Sequence, residues 1–235
     1  MHDLSWLTAR PIAHRGLHDL NRERWENTLA AFSAAMDADY AIECDVRASA
    51  DGVPVIFHDE DLQRLTGREG KVWQHGAAEL EALEIGGTGE HIPTLVSTLE
   101  HVAGRVPLVI EIKGAAGHDE GLAGAVVGCL AGYEGHVALM SFDHWIIRAL
   151  GSLASHPVGL TASGRATSDM EAHFSMLAHN IAFASYCVED LPNPFVAFLR
   201  ERLSMPVITW TVRDQDMAQR SARYADQMTF EGFSP

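Results

Sequence analysis

From about residue 107 onward the chain alternates between short apolar runs and longer stretches carrying one apolar face. The runs 107–113, 136–142, 157–162, 181–188, 206–212 and 227–233 predict strands. The stretches between them, 121–133, 144–154, 170–180, 195–203 and 214–224, predict helices, one of them opening just after Pro194. Two more strands come earlier. One is the apolar run Pro11-Ile12-Ala13, which stops at His14-Arg15-Gly16; the other is 42–47. After it, Asp51-Gly52 predicts a hairpin-type turn, and residues 53–57 return to His58-Asp59 as though a strand delivered an imidazole to its carboxyl end. Asn27 predicts a helix cap, with Leu29, Phe32, Ala35 and Met36 on one helical face. Residues 60–92, with Thr66-Gly67, Gly70 and Gly86-Gly87, read as loop, and Thr94 predicts the cap of a helix running to about 103.

Counted together, these make about eight β-α units in the order of a barrel. The expected fold class is α/β, a (β/α)8 TIM barrel forming a single domain over 1–235, slightly short of the usual ~250 residues. A doubly wound open sheet shows the same alternation, but it usually carries a Gly-rich phosphate loop after its first strand, and no G-x-G-x-x-G is present.

The stretch Ile42-Glu43-Cys44-Asp45-Val46-Arg47 changes the picture from architecture to chemistry. Side chains alternate across a strand, so Glu43 and Asp45 share one face, while Ile42, Cys44 and Val46 share the other. The bland reading is a strand with one wet face. If the carboxylates point into an interior, however, they are costly without something positive between them, and a metal ion is the simplest partner. Glu111 and Lys113 repeat the same spacing.

Bulk properties narrow the function classes. A net charge of −15 argues against binding nucleic acid or an anionic membrane through general electrostatics, while leaving room for a local basic pocket. Cys44, Cys129 and Cys187 are far apart and form no C-x-x-C, which fits a reducing, cytoplasmic address. Residues 1–10 lack the layout of a secretory leader, and no apolar run reaches spanning length, so no stable membrane insertion is expected. The oligomeric state is not readable.

In barrels, chemistry collects at the carboxyl ends of strands. Those ends carry His14 and Arg15, Glu43 and Asp45, His58, Glu111 and Lys113, then Ser141-Phe142, Trp210 and Glu231. Three carboxylates suit a hard divalent cation, Mg²⁺ or Ca²⁺. Arg15 offers a bidentate fork and Lys113 a point charge to a phosphate. Two histidines can serve as general acid and base. Together the parts suit metal-assisted displacement at a phosphodiester.

The ordered series His14-Arg15-Gly16, Glu26-Asn27-Thr28, Glu43-x-Asp45, Asp51-Gly52, His58-Asp59, Leu62-x-Arg64-x-Thr66-x-x-x-Gly70, Ile92-Pro93-Thr94-Leu95 and Glu111-Ile112-Lys113 resembles the glycerophosphodiester phosphodiesterase family, densely over 11–113 and thinly beyond. The resemblance implies a (β/α)8 barrel that uses a divalent metal to hydrolyse small-molecule glycerophosphodiesters to glycerol 3-phosphate and an alcohol. It implies His14 and His58 as the acid–base pair, Glu43, Asp45 and Glu111 on the metal, and Arg15 and Lys113 on the phosphate. Chemically, attack by the glycerol's own 2-hydroxyl through a cyclic phosphate is expected. Glu26 either touches this site or supports the first loop; Trp210 either stacks on substrate or packs. Two other readings keep the fold: a lysophospholipase D-like enzyme acting on lipid substrates, and a barrel that binds a phosphorylated ligand without turnover. One departure stands out. Family members usually end in Thr-Asp-x-Pro, whereas this chain reads Thr229-Phe230-Glu231-Gly232-Phe233, with Glu231 in the aspartate's place. Another is that 58–111 leaves no room for a large inserted lid.

Overall fold

A computed structural model describes residues 3–235, so Met1 and His2 of the stretch read for a leader lie outside the described residues. The chain runs α1 (Ser5–Thr8), β1 (Ile12–Ala13), α2 (Leu29–Asp37), β2 (Ala41–Ala48), β3 (Pro54–Ile56), α3 (Gln63–Thr66), α4 (Ala77–Glu81), β4 (Glu84–Ile85), β5 (Glu90–His91) and α5 (Leu95–Val102). It continues β6 (Leu108–Ile112), α6 (Leu122–Cys129), β7 (Val137–Ser141), α7 (His144–Leu153), β8 (Val158–Ala162), α8 (Thr167–Ser175), β9 (Phe183–Cys187), α9 (Pro194–Leu203), β10 (Val207–Val212), α10 (Gln215–Tyr224) and β11 (Gln227–Phe230).

Eight of these strands are parallel and form a closed ring, because β1 pairs with both β2 and β11: Ile12 registers with Ala41 on one side and Thr229 on the other. The expected (β/α)8 barrel is the fold. Alternation sorts the side chains into two layers. Ile12, Ala41, Val109, Ala138, Met140, Phe183 and Ile208 pack together with Leu4 and Leu7 of the N-terminal segment. Ile42, Cys44, Val46, Ile110 and Ile112 pack outward with Phe32, Leu95, Leu99 and Val126 of the helices. Gly159 belongs to the crowded barrel: a Cβ there would lie 2.3 Å from the Phe183 ring.

Three local readings need correction. Residues 53–57 do return as the hairpin expected after Asp51-Gly52, but they are no barrel strand, so His58 does not stand at a stave's end. β2 outruns its neighbours by several residues, and its projecting end pairs antiparallel with β3, Arg47 opposite Val55 and Ala48 opposite Pro54. His58 therefore arrives at the mouth on a hairpin folded over it, with Phe57 N donating to Asp45 O at 3.0 Å. Asn27 does not cap α2. Thr28 does, its side chain accepting from Ala31 N, while Asn27 adopts φ 57° and turns inward. Third, residues 60–92 are structured: short helical turns and the β4–β5 hairpin share a small core of Val55, Phe57, Leu62, Leu65, Val72, Leu80, Ile85 and Ile92. None of these elements is long enough to show a period, and so they read as loop. The remaining predicted elements recur with ends shifted by a few residues, as helix and strand ends commonly are. Among the described residues, no helix is long and apolar enough to cross a membrane.

Candidate active site

The mouth is assembled by the first strands of the ring. β2 and β6 are in register Asp45 to Glu111, so Glu43, Asp45 and Glu111 fall on one face, with Glu43 two residues earlier along β2. A ligand atom from each lies within 4.8 Å of the others, and all three residues are buried. Burial and mutual repulsion push the carboxyls of Glu43 and Glu111 above their ordinary range. Burial acts the same way on Asp45, but Lys113 and Arg15 outweigh it and hold that group below its usual range. Lys113 Nζ lies 3.2 Å from Asp45 Oδ1 and 2.7 Å from Glu111 Oε1, yet neither oxygen receives a well-directed hydrogen bond. Three buried carboxylates thus face one ammonium and one guanidinium. Oxygen-only donors with spare lone pairs fit a hard divalent ion at Glu43, Asp45 and Glu111.

The chain beyond β1 is bent to reach this group. His14 N extends the ladder to Phe230 O at 3.0 Å, and Arg15 then takes φ 54°. A left-handed arginine costs roughly 1–2 kcal/mol. The bend is held because Arg15 N donates to Glu43 Oε2 at 2.8 Å and Gly16 N donates to Glu43 O at 3.2 Å. Gly16 has φ 79°, and a Cβ there would meet Ala31 at 2.9 Å, so only glycine fits. The Arg15 guanidinium reaches Glu26 at 2.6 Å and Asp45 at 3.2 Å. Asn27, turned inward, donates to Asp45 Oδ2 at 2.9 Å.

Each mouth histidine leans on a carboxylate. His58 Nδ1 lies 2.7 Å from Asp59 Oδ1, and His14 Nδ1 lies 2.5 Å from Glu231 Oε2. An ionised carboxylate only accepts, so Nδ1 carries the proton in both rings and the Nε2 lone pairs are free. Burial lowers the tendency of both imidazoles to ionise, more than their carboxylates raise it. Each carboxylate is in turn held by an arginine. Arg64 grips Asp59 through Nε and Nη2, and Glu26 at 2.9 and 2.8 Å. Arg213 Nε donates to Glu231 Oε1 at 2.7 Å. Burial works against the charge on Glu26, but Arg64 and Arg15 prevail and bring its pKa to about 2.

His14, Arg15, Glu43, His58, Glu111 and Lys113 line one cavity of about 150 Å³. Its other wall is Met140, Phe142, Trp210, Thr211, Arg213 and Thr229. Asp45 sits behind the lining residues, while Glu26 is occupied by two guanidiniums, as a support for the first loop would be. Trp210 packs edge-on against Phe142 at 5.2 Å with Nε1 donating to Ser185 O, so one edge is anchored while the residue lines the wall. Ser141 is structural: its hydroxyl donates to Ile112 O. A larger groove of about 670 Å³ between Val96 and Gly135 gathers no comparable set of ionisable groups.

Sequence reasoning did not assign roles to Asn27, Arg64, Arg213 or His18. Arg64 stood within the motif series, and Arg213 follows a barrel strand directly, so the strand-end rule would have flagged it. Asn27 was masked by its suitability as a cap.

A closed barrel whose mouth gathers carboxylates, paired cations and two braced imidazoles defines a (β/α)8 protein with one densely ionisable site. The glycerophosphoryl diester phosphodiesterase family model matches residues 14–233, and the chain belongs to that family. It is 36% identical over 156 residues to a glycerophosphodiester phosphodiesterase of Caldanaerobacter subterraneus, covering 62% of this chain and 63% of the relative. A putative glycerophosphodiester phosphodiesterase of Bacillus subtilis is 39% identical over 111 residues, or 44% of each chain. The match thus spans under two thirds of these relatives' length. In structure, the chain is similar to an Oleispira antarctica phosphodiesterase solved with the product sn-glycerol-3-phosphate, with TM-score 0.81, 25% identity, and 95% and 92% of the two chains covered. It is also similar to a glycerophosphodiester phosphodiesterase of Thermotoga maritima, with TM-score 0.76, 26% identity, and 93% and 92% covered.

Proposed function

We propose that this protein hydrolyses small glycerophosphodiesters to glycerol 3-phosphate and an alcohol. The observation that carries the reading is the pair of imidazoles, each braced through Nδ1, lining the same cavity as Arg15 and Lys113. Arg15 and Lys113 bind and orient the phosphate. Glu43, Asp45 and Glu111 would hold a divalent ion, Mg²⁺ or Ca²⁺, which when bound would supply Lewis-acid chemistry to the phosphate.

The free Nε2 of one histidine takes the proton of the attacking hydroxyl, and the Nε2–H of the other, protonated, gives one to the departing alcohol. The glycerol 2-hydroxyl is tethered next to phosphorus, and well-oriented intramolecular attack reaches effective molarities of order 10⁵ M or more. We therefore infer a cyclic 1,2-phosphate, opened by water as the two histidines exchange roles. A small cavity bounded by ionisable groups supports a compact polar substrate rather than an acyl chain. A cytoplasmic, reducing address belongs to the same reading, supported by three free cysteines.

The test is an analogue built on propane-1,3-diol, which lacks the 2-hydroxyl. It should bind as an inhibitor and resist hydrolysis in Mg²⁺ or Ca²⁺, conditions in which the parent diester turns over. Equal rates for both compounds would mean that water attacks phosphorus directly. No turnover of any glycerophosphodiester would reject the function.

A further inference from the structure

We infer that His18 acts through Glu231 as a positioning residue for His14, so that the acid–base group is the outer member of a His14–Glu231–His18 relay. The inference rests on the proposed reaction and adds to it a residue outside the cavity lining.

His18 is buried, with its side chain only 5% exposed. The loop that holds it is rigidly wired. Leu20 N donates to His18 Nδ1 at 3.1 Å, and Asp19 accepts from the backbone of Arg22, Glu23 and Arg24. Because Nδ1 is the acceptor of the Leu20 amide, a neutral His18 must carry its proton on Nε2. That Nε2–H lies 3.6 Å from Glu231 Oε2 and meets no hydrogen-bond partner in the structure. A buried donor without an acceptor is expensive, and the adjacent carboxylate oxygen is the group able to relieve it. The contact is long, as such contacts often are before substrate tightens a site.

Glu231 is placed to receive it. Arg213 occupies Oε1, leaving Oε2 to His14 at 2.5 Å and to His18. Both rings thus address one oxygen, and a carboxylate that rotates away from His14 also moves away from the His18 proton. The loop also lies against the segment that follows β11: a Cβ on Gly232 would lie 3.4 Å from Leu20 Cδ2. One possible ligand atom from each of His14, His18 and Glu231 lies within 4.8 Å of the others, a set that resembles a two-histidine, one-carboxylate metal site. The protonated Nε2 set by Leu20 offers no lone pair there and favours the relay.

The test uses the full chain with Mg²⁺ and a turned-over glycerophosphodiester. His18→Phe keeps the ring and removes the donor; His18→Gln restores an N–H. Loss of one positioning contact should lower kcat about 10-fold in His18→Phe, with KM and Tm unchanged and kcat largely recovered in His18→Gln. In a Glu231→Gln background, His18→Phe should cost nothing further, since both changes remove the same device. The His14 Nδ1 proton, seen by NMR in ¹⁵N-histidine-labelled protein, should be downfield in the wild type and lost in Glu231→Gln. Full kcat in His18→Phe, multiplying losses in the double variant, or a matching rise in KM would each overturn the relay. So would stoichiometric Zn²⁺ bound by the wild type and lost in His18→Phe. If His18→Phe does not fold, His18→Asn, too short to reach Glu231, decides on the same criteria. If no diester is turned over, the function fails, while the NMR signal and its loss in Glu231→Gln still report whether Glu231 holds His14.

Discussion

The two sides of the mouth brace an imidazole in the same way and by opposite routes. His58 leans on Asp59, its neighbour in sequence, and Arg64 clamps the aspartate from five residues further on. His14 leans on Glu231, 217 residues away, which it meets because β1 pairs with β11 to close the ring. One brace is local and depends on a hairpin and a short helical turn. The other exists only in the closed barrel. The lesson is that equal geometry at an atom can rest on unequal parts of the fold, so damage to the fold should reach the two histidines differently.

The largest expected effect does not separate the sides. Stripping the divalent ion with excess EDTA should abolish turnover, and Glu43→Ala should cripple it, because both sides address one charged centre. Full activity in EDTA would remove the ion from the scheme and leave the carboxylates to Lys113 and Arg15. Next come the imidazoles. Either His14→Ala or His58→Ala should lower kcat on the order of 10²- to 10⁴-fold. A loss confined to one variant would show that a single histidine carries the proton transfers. Arg15→Lys should lower kcat/KM about 10-fold or more, since an ammonium cannot reproduce a planar fork; wild-type kinetics would make Arg15 a structural residue of the first bend.

The smallest effect concerns stability in acid. Burial raises the pKa of Glu26, but Arg64 and Arg15 outweigh it and hold the folded value at about 2, below the ordinary 4.5. A depressed folded pKa gives stability that is present above 4.5 and lost as pH falls toward 2. Wild type should therefore exceed Glu26→Gln in Tm at neutral pH, and the gap should shrink as pH falls through that window. A gap that stayed constant between neutral pH and pH 2 would mean that Glu26 contributes through shape and not charge.

Much of this molecule can be read from its sequence, and the unread parts have a common cause. The barrel was legible because six apolar runs repeat at helix-length intervals, and the shared face of Glu43 and Asp45 because strand parity needs no partner. What escaped depended on contacts between distant segments. Asn27 has the chemistry of a helix cap, and only the nearness of Asp45 turns it inward. Glu231 appeared as a departure from a familiar ending, and nothing near it in the chain points to His14. The turn at Asp51-Gly52 showed that the strand carrying His58 folds back, but not that it leaves the ring, because an apolar run looks the same in a barrel stave and in a hairpin beside one.

Closure by β11 also orders events in time. During synthesis, the hairpin, Asp59 and Arg64 leave the ribosome long before Phe230 and Glu231 exist, and translation proceeds at roughly 5–20 residues per second. For those seconds the nascent chain can hold one imidazole ready and not the other. On the proposed function, a growing polypeptide stays idle until its last stave is in place, and the act of finishing the fold is what completes the pair of imidazoles.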